Sequence, residues 1–343
     1  MKRINFITLM TLVSLTSMSG FPEESYLAPL AKESLLLDIT RNDTHYIVVG
    51  ERGHVLDSVD GLSWTQKTVP TLSTLTAVAS YGQQSWAVGH DAIILHQAAN
   101  DQNWQVQMFS PESEKPLLDV LFFDNQEGIA VGAYGTFFRT KDSGESWNKE
   151  VHSELLDPED VLYLDEIRLE DEAFYQAELG SIMPHLNKVT QVDDMLYLAG
   201  ESGLLASSAD RGVSWQRMDV DYYGSFFDVA GLSNGDVVAV GLRGHIFILE
   251  KDSQEWQIIN SGITSSLNTI IALQDGSFVT LGNAGYMVCV MNGDVTKSHI
   301  DDGKAINAAL KMDNQLMLAS AVGIKHLALD KQQSVCERTS VNL

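Results

Sequence analysis

Short apolar runs that stop at glycine recur along the chain. Tyr46-Ile-Val-Val-Gly50, Trp86-Ala-Val-Gly89, Ile129-Ala-Val-Gly132, Tyr197-Leu-Ala-Gly200, Val238-Ala-Val-Gly241 and Val279-Thr-Leu-Gly282 are followed by a worn copy, Met317-Leu-Ala-Ser320. Their closing positions are separated by 39, 43, 68, 41, 41 and 38 residues. The runs lack the 3.6-residue periodicity of a helix, and a repeat of about 40 residues with turn residues between short strands is that of a propeller blade. The pattern predicts an all-β chain, a seven-bladed β-propeller of four-stranded antiparallel blades. In blade five the strands are placed at Phe226–Ala230, Val237–Val240, His245–Leu249 and Trp256–Ile259.

Tryptophan keeps the same beat, at Trp64, Trp104, Trp147, Trp215 and Trp256. One Trp at a fixed place per blade reads as packing between sheets. Around it, Thr140-x-Asp142-x-Gly144-x-Ser146-Trp147 and Ser208-x-Asp210-x-Gly212-x-Ser214-Trp215 are complete Asp-boxes, and Ser58-x-Asp60 to Trp64 is one residue short. Asp accepts main-chain N–H bonds in such a hairpin and Gly supplies a backbone that other residues resist, so these boxes are expected to serve folding.

The interval of 68 residues places an insertion at about 152–183, between blades three and four. From Val151 to Gly180 it carries ten carboxylates against the single arginine Arg168. Asp157 before Pro158, with Ala173, Phe174 and Ala177 further on, predicts a capped helical stretch. A solvated loop and a docking arm are both compatible with that composition.

Composition narrows the partners. A net charge of −24 over 343 residues repels phosphate backbones and anionic lipid, which leaves a protein partner and argues against nucleic acid and membrane insertion. Met-Lys-Arg, an apolar stretch from Phe6 to Met18 and small residues before Gly20 read as a signal peptide over 1–19, with the propeller over 20–343. The expected product is a periplasmic or secreted monomer. No Cys lies near the cleavage point, so a lipid anchor is not expected. Cys289 and Cys336 stand outside any zinc or redox motif, and a disulfide between them and two buried thiols are both open. His54 and His245 recur because blades recur, and no metal or cofactor is expected.

Ala87-Val-Gly-His-Asp91, Gly132-Ala-Tyr-Gly-Thr-Phe137, Pro184-His-Leu-Asn187, Ala199-Gly-Glu-Ser-Gly203, Tyr223-Gly-Ser-Phe226 and Gly241-Leu-Arg-Gly244 carry a resemblance. The mature chain resembles the BNR/Asp-box propellers of the photosystem II stability and assembly factor type, including relatives in non-photosynthetic bacteria. In photosynthetic members the resemblance implies binding and stabilising an immature membrane-protein subunit. The chain departs from the pattern at Ala92 and Ser320 and in the eroded Asp-boxes of blades two, five, six and seven.

Strand order puts the Gly-x-x-Gly turns and the insertion on one face of the ring, opposite the Asp-boxes. The candidate binding residues there are Arg52, His90, Tyr134, His185, Asn187, Glu201, Tyr222, Tyr223 and Arg243, with Arg52, Arg243, Tyr134 and Tyr222 expected to converge. Arg and Tyr are the residue types that dominate binding energy at interfaces. The expected activity is non-catalytic binding of an envelope or membrane protein complex. The alternative is a sialidase-like Asp-box glycoside hydrolase, which needs an arginine cluster beside an acid and a nucleophile. Only eight arginines follow the signal and no complete catalytic constellation is visible. The ring is expected to close through an outer strand from Tyr26–Ala31 or Val335–Val341.

Overall fold

The computed structural model describes residues 22–313 and 315–328, so the expected signal peptide at 1–19, the candidate closing strand Val335–Val341 and Cys336 lie outside the described residues. The described strands form seven antiparallel sheets, six of four strands and one of three, each in simple sequential order. The blades span 36–67, 75–108, 117–150, 186–217, 226–260, 267–299 and 306–328. In blade five the strands are Phe226–Gly231, Val237–Gly241, His245–Leu249 and Trp256–Asn260, within one residue of expectation.

The second strand of a blade has sheet neighbours on both edges and another blade on each face. It therefore reads as a continuous apolar run and not as an alternation, and Tyr46–Gly50, Gly128–Gly132, Val237–Gly241 and Phe278–Gly282 are buried throughout. The apolar interior divides into seven clusters, each shared by two consecutive blades, with the cluster of blades seven and one closing the ring. Trp64, Trp104, Trp147, Trp215 and Trp256 each enter the cluster between their own blade and the preceding one. The glycine that ends each apolar run is there for space. At Gly132 a Cβ would stand 2.2 Å from the Pro116 carbonyl, which accepts the Ala133 N–H at 3.0 Å.

Near the start of each blade the pairing between its inner and second strands slips by one residue, a bulge that re-aims the neighbouring side chains. From these bulges side chains reach forward to the main chain of the next blade. In blades one, three and five Asp38, Asp119 and Asp228 accept the N–H groups of Val78, Val189 and Ile270 at 2.7–2.8 Å. In blades two, four, six and seven Thr76, Asn187, Asn268 and Asn307 donate to the carbonyls of Leu117, Phe226, Ile306 and Leu36 at 2.6–2.9 Å. The last of these joins the two ends of the ring.

Tyr26–Ala31 does not supply the outer strand of blade seven. Ser25 exchanges bonds with Val69, and the Gln66 amide bonds Tyr26 O and Ala28 N, so this segment lies along the outer edge of blade one. Blade seven shows three strands among the described residues, Ile306–Met312, Gln315–Ser320 and Gly323–Ala328.

Replacing Asn307 with Ala strips the donor from the Leu36 carbonyl, and an unsatisfied buried acceptor costs about 1–3 kcal/mol. Urea unfolding is expected to show a lower midpoint, and amide exchange is expected to speed up first in blades seven and one. Unchanged exchange there would show that the clasp does not hold the ring shut.

Candidate functional site

The turn after the apolar run passes through a left-handed residue in each of the first six blades. Arg52, Asp91, Tyr134, Ser202, Arg243 and Ala284 hold φ between 52° and 59°. Left-handed backbone is costly for any residue with a Cβ, so the surrounding packing imposes it six times over. The glycine that follows lets the turn press on the link between blades. At Gly203 (φ 70°) a Cβ would stand 1.9 Å from the Tyr222 carbonyl. Blade two manages with Ala92 because its link bonds differently, through Ser110 N to the Asp91 carbonyl.

The candidate residues fall into separate groups around the ring. Tyr134 meets His185 edge-on at 4.7 Å between ring centroids, and His185 Nδ1 lies 3.8 Å from Glu201. The Lys115 ammonium stands 5.3 Å from the centre of the Tyr134 ring and donates to the Gly180 carbonyl. Burial, and then Lys149, lowers the Lys115 pKa. In blade five Tyr222 packs on His245 at 4.6 Å and donates its hydroxyl to the Leu242 carbonyl, in the same turn as the exposed Arg243. Tyr223 beside it is 84% exposed.

The expected convergence of Arg52, Arg243, Tyr134 and Tyr222 does not occur. Arg52 lines its own cleft of about 380 Å3 with Tyr26, Leu30, Glu51 and His54. Each turn is folded against its own interblade link, so residues on one face are spread around the ring. His90 is exposed at the blade-two turn, with its N–H bonded to the Thr74 carbonyl. Asn187 is a channel clasp, since its amide is committed to the Phe226 carbonyl.

The insertion is two helices, α1 (Pro158–Glu170) and α2 (Glu172–Ile182). Asp157 caps α1 through the Glu159 N–H, and Asp171 breaks the stretch by capping α2 through Ala173 and Phe174. Leu155, Leu156, Leu164, Leu179 and Met183 anchor the pair in the cluster between blades three and four. Arg217 ties its base down, donating to the carbonyls of Leu155 at 2.9 Å and Ser202 at 3.1 Å. Between this base and the link to blade five lies a cleft of about 350 Å3, lined by Asp157, Ser202, Arg217, Asp219, Tyr222 and Tyr223.

On the opposite face the carboxylates of the three Asp-boxes are engaged by their own turns. Ser146 gives both its N–H and its hydroxyl to Asp142, and Ser214 does the same for Asp210. Asp60 accepts from Leu62, Ser63 and Ser58. These donors pull the carboxyls of Asp60 and Asp210 down to about 2. The Gly144 and Gly212 N–H groups bond the first hydroxyl of their boxes, and Arg139 donates to the Arg211 and Gly212 carbonyls across the blade boundary.

Sequence reasoning missed the channel. Lys188 occupies in blade four the position that Asp38, Asp119 and Asp228 hold in blades one, three and five, and its Nζ lies 3.0 Å from Asp119. Burial pushes the carboxyls of Asp38 and Asp228 up to about 6 and about 7, with Lys188 pulling each back in part. Burial also works against the ammonium, but Asp119, Asp38 and Asp228 outweigh it and raise the Lys188 pKa. The available signal was a phrase in alternate blades: Leu36-Leu-Asp38, Leu117-Leu-Asp119 and Phe226-Phe-Asp228. Among the described residues no group of His, Cys, Asp or Glu is arranged to hold a metal ion.

Seven blades, Asp-box hairpins and Gly-x-x-Gly turns on the other face define a BNR-type repeat propeller. The chain matches the family described as photosynthesis system II assembly factor YCF48 over residues 24–113 and 105–299, and it belongs to that family. A curated relative, the photosystem II assembly lipoprotein Ycf48 of Prochlorococcus marinus (strain MIT 9312), is 28% identical over 177 residues, which is 45% of this chain and 51% of that protein. The chain thus matches about half the length of that relative. A solved structure of YCF48 bound to a D1 peptide is similar with a TM-score of 0.66 at 15% identity, covering 91% of this chain and 100% of that one. Virginiamycin B lyase from Staphylococcus aureus is similar with a TM-score of 0.69 at 11% identity, covering 90% and 99%. At these identities the structures show a shared fold, and a fold hosts many activities.

Removing the channel cation, as in Lys188→Met, leaves the buried Asp119 carboxylate without its counter-ion; with the Lys188 side chain 32% exposed, solvent screening holds the cost to about 1–3 kcal/mol. Asp38 and Asp228 titrate higher in the fold than in an unfolded chain, so the fold holds extra protons from about pH 4 to about 7. Their contribution to stability falls as pH rises through that window, and it falls further without Lys188. Urea unfolding is expected to show a larger loss for the variant near pH 8 than near pH 5. A loss independent of pH would contradict this electrostatic reading of the channel.

Proposed function

We propose that the chain is an exported, non-catalytic binding propeller that holds a segment of an envelope or membrane protein on its Gly-x-x-Gly face. The observation that carries the reading is the contrast between the two faces. On one, Arg243, Tyr223 and the Tyr134–His185–Glu201 group flank the helical insertion and its cleft. On the other, the Asp-box carboxylates are taken up by their own turns. Exposed Arg and Tyr beside a cleft are what a protein interface uses for its energetic centre.

Membership of an assembly-factor family supports a protein partner, as does the D1 peptide bound to the similar YCF48 structure. Export rests on the signal-like segment 1–19 and is supported by the lipoprotein designation of the Prochlorococcus relative. The glycoside hydrolase alternative has less to build on, because three of the arginines are held by the scaffold. Arg139 bonds Glu150, Arg211 bonds Glu127, and Arg217 bonds two carbonyls of its own scaffold.

A photo-crosslinking residue placed at Tyr223 and, separately, at Leu62 in an Asp-box turn tests the reading in the native cell. An adduct with a membrane-fraction protein is expected from position 223 and not from position 62. Adducts from position 62 alone, or hydrolysis of a sialoside by the purified chain, would overturn it.

A further inference from the structure

The outer surface of the α1–α2 arm combines exposed apolar side chains with a strongly acidic sequence. The inward stripe of α1 is Asp160, Leu164 and Ile167, at the spacing of one helix face. The outward stripe is Leu162, Asp165, Glu166 and Leu169, and here two leucines two turns apart are 68% and 89% exposed. Val161, Tyr163 and Phe174 add further exposed apolar surface on the same arm. A solvated loop has no need of this, and apolar side chains gathered on a projecting element mark a contact surface.

The charge around them selects the occupant. Residues 157–182 carry nine carboxylates and one arginine, Arg168, which is paired with Glu172 at 3.5 Å. At the base, Asp157 and Asp160 share Arg217, whose guanidinium is already bonded to Leu155 and Ser202. Asp219 lines the far wall of the cleft, with Tyr223 at its rim, so negative charge exceeds positive from the arm across the cleft. Anionic lipid and nucleic acid are repelled, and so is a second copy of a chain with net charge −24.

We propose that this arm and the cleft at its base dock a basic amphipathic segment of the partner protein, its apolar side chains on Leu162 and Leu169 and its Lys or Arg side chains on Asp165, Glu166 and the cleft carboxylates. This rests on the reading of the Gly-x-x-Gly face as a protein-binding surface and names the kind of chain it takes. The arm is fastened to blades three and four through Leu164, Leu179 and Arg217, so it presents this stripe in a fixed position. Preorganisation lowers the cost of binding.

The test uses the full chain and a fluorescent synthetic peptide of Lys and Leu at helical spacing, followed by anisotropy. Three variants are compared. The first carries D165N and E166Q, the second carries L162S and L169S, and the third carries D193N and D275N in turns of the opposite face. The wild type and the third variant are expected to bind alike. Loss of two exposed ion pairs is expected to weaken the first variant by about fivefold, and loss of two apolar contacts to weaken the second by about tenfold. Equal weakening by the first and third variants, an unaffected second variant, or no binding by the wild type would overturn the proposal. None of these results touches the position 223 cross-link, so failure here is distinct from failure of the face itself.

Discussion

A ring of side-chain bonds around the central channel sets the geometry on which the rest of the molecule depends. Each inner strand sends one side chain forward to the main chain of the next blade, from Asp38 onto Val78 through to Asn307 onto Leu36. Individually such bonds contribute modestly, and the apolar clusters between blades supply most of the driving force. What the clasps add is register, because an apolar interface is non-directional and tolerates sliding, while a buried N–H or carbonyl does not tolerate losing its partner. The three aspartates among them crowd negative charge into a narrow lumen, and Lys188 in blade four offsets it.

That arrangement leaves the turns of one face with few structural demands on their side chains. With the blades locked at the channel and the Asp-boxes saturated by their own donors, the Gly-x-x-Gly turns need few side chains to hold themselves. Their left-handed positions therefore carry residues as different as Arg52, Tyr134 and Ala284 on a constant backbone. The insertion exploits the same rigidity: its leucines extend the cluster between blades three and four, and Arg217 pins its base to the scaffold.

Much of the architecture was legible because each signal had a local cause. The glycine closing the apolar run is demanded by a carbonyl 2.0–2.5 Å from where a Cβ would be, so it recurs in six of the seven blades, with Ser320 in the seventh. The channel was not legible. The clasp alternates between Asp in some blades and Thr or Asn in others, so no single column repeats, and a bulge leaves no mark in a strand of ordinary composition. Asn187 was for that reason read as a candidate binding residue. The grouping used the face on which a turn opens and left aside the blade it belongs to, which is why Arg52 was placed with side chains that it does not meet. The acidic stretch is helical as expected and divides into two helices, because Asp171 serves as a second cap.

Hydrogen–deuterium exchange on the full chain, alone and in the complex isolated from native membranes, tests the face assignment most directly. Protection on binding is expected within 157–182, 201–203, 219–224 and 242–244, the arm, the cleft walls and the turn of blade five. Protection falling instead on the Asp-box hairpins at 58–64, 140–147 and 208–215 would contradict it.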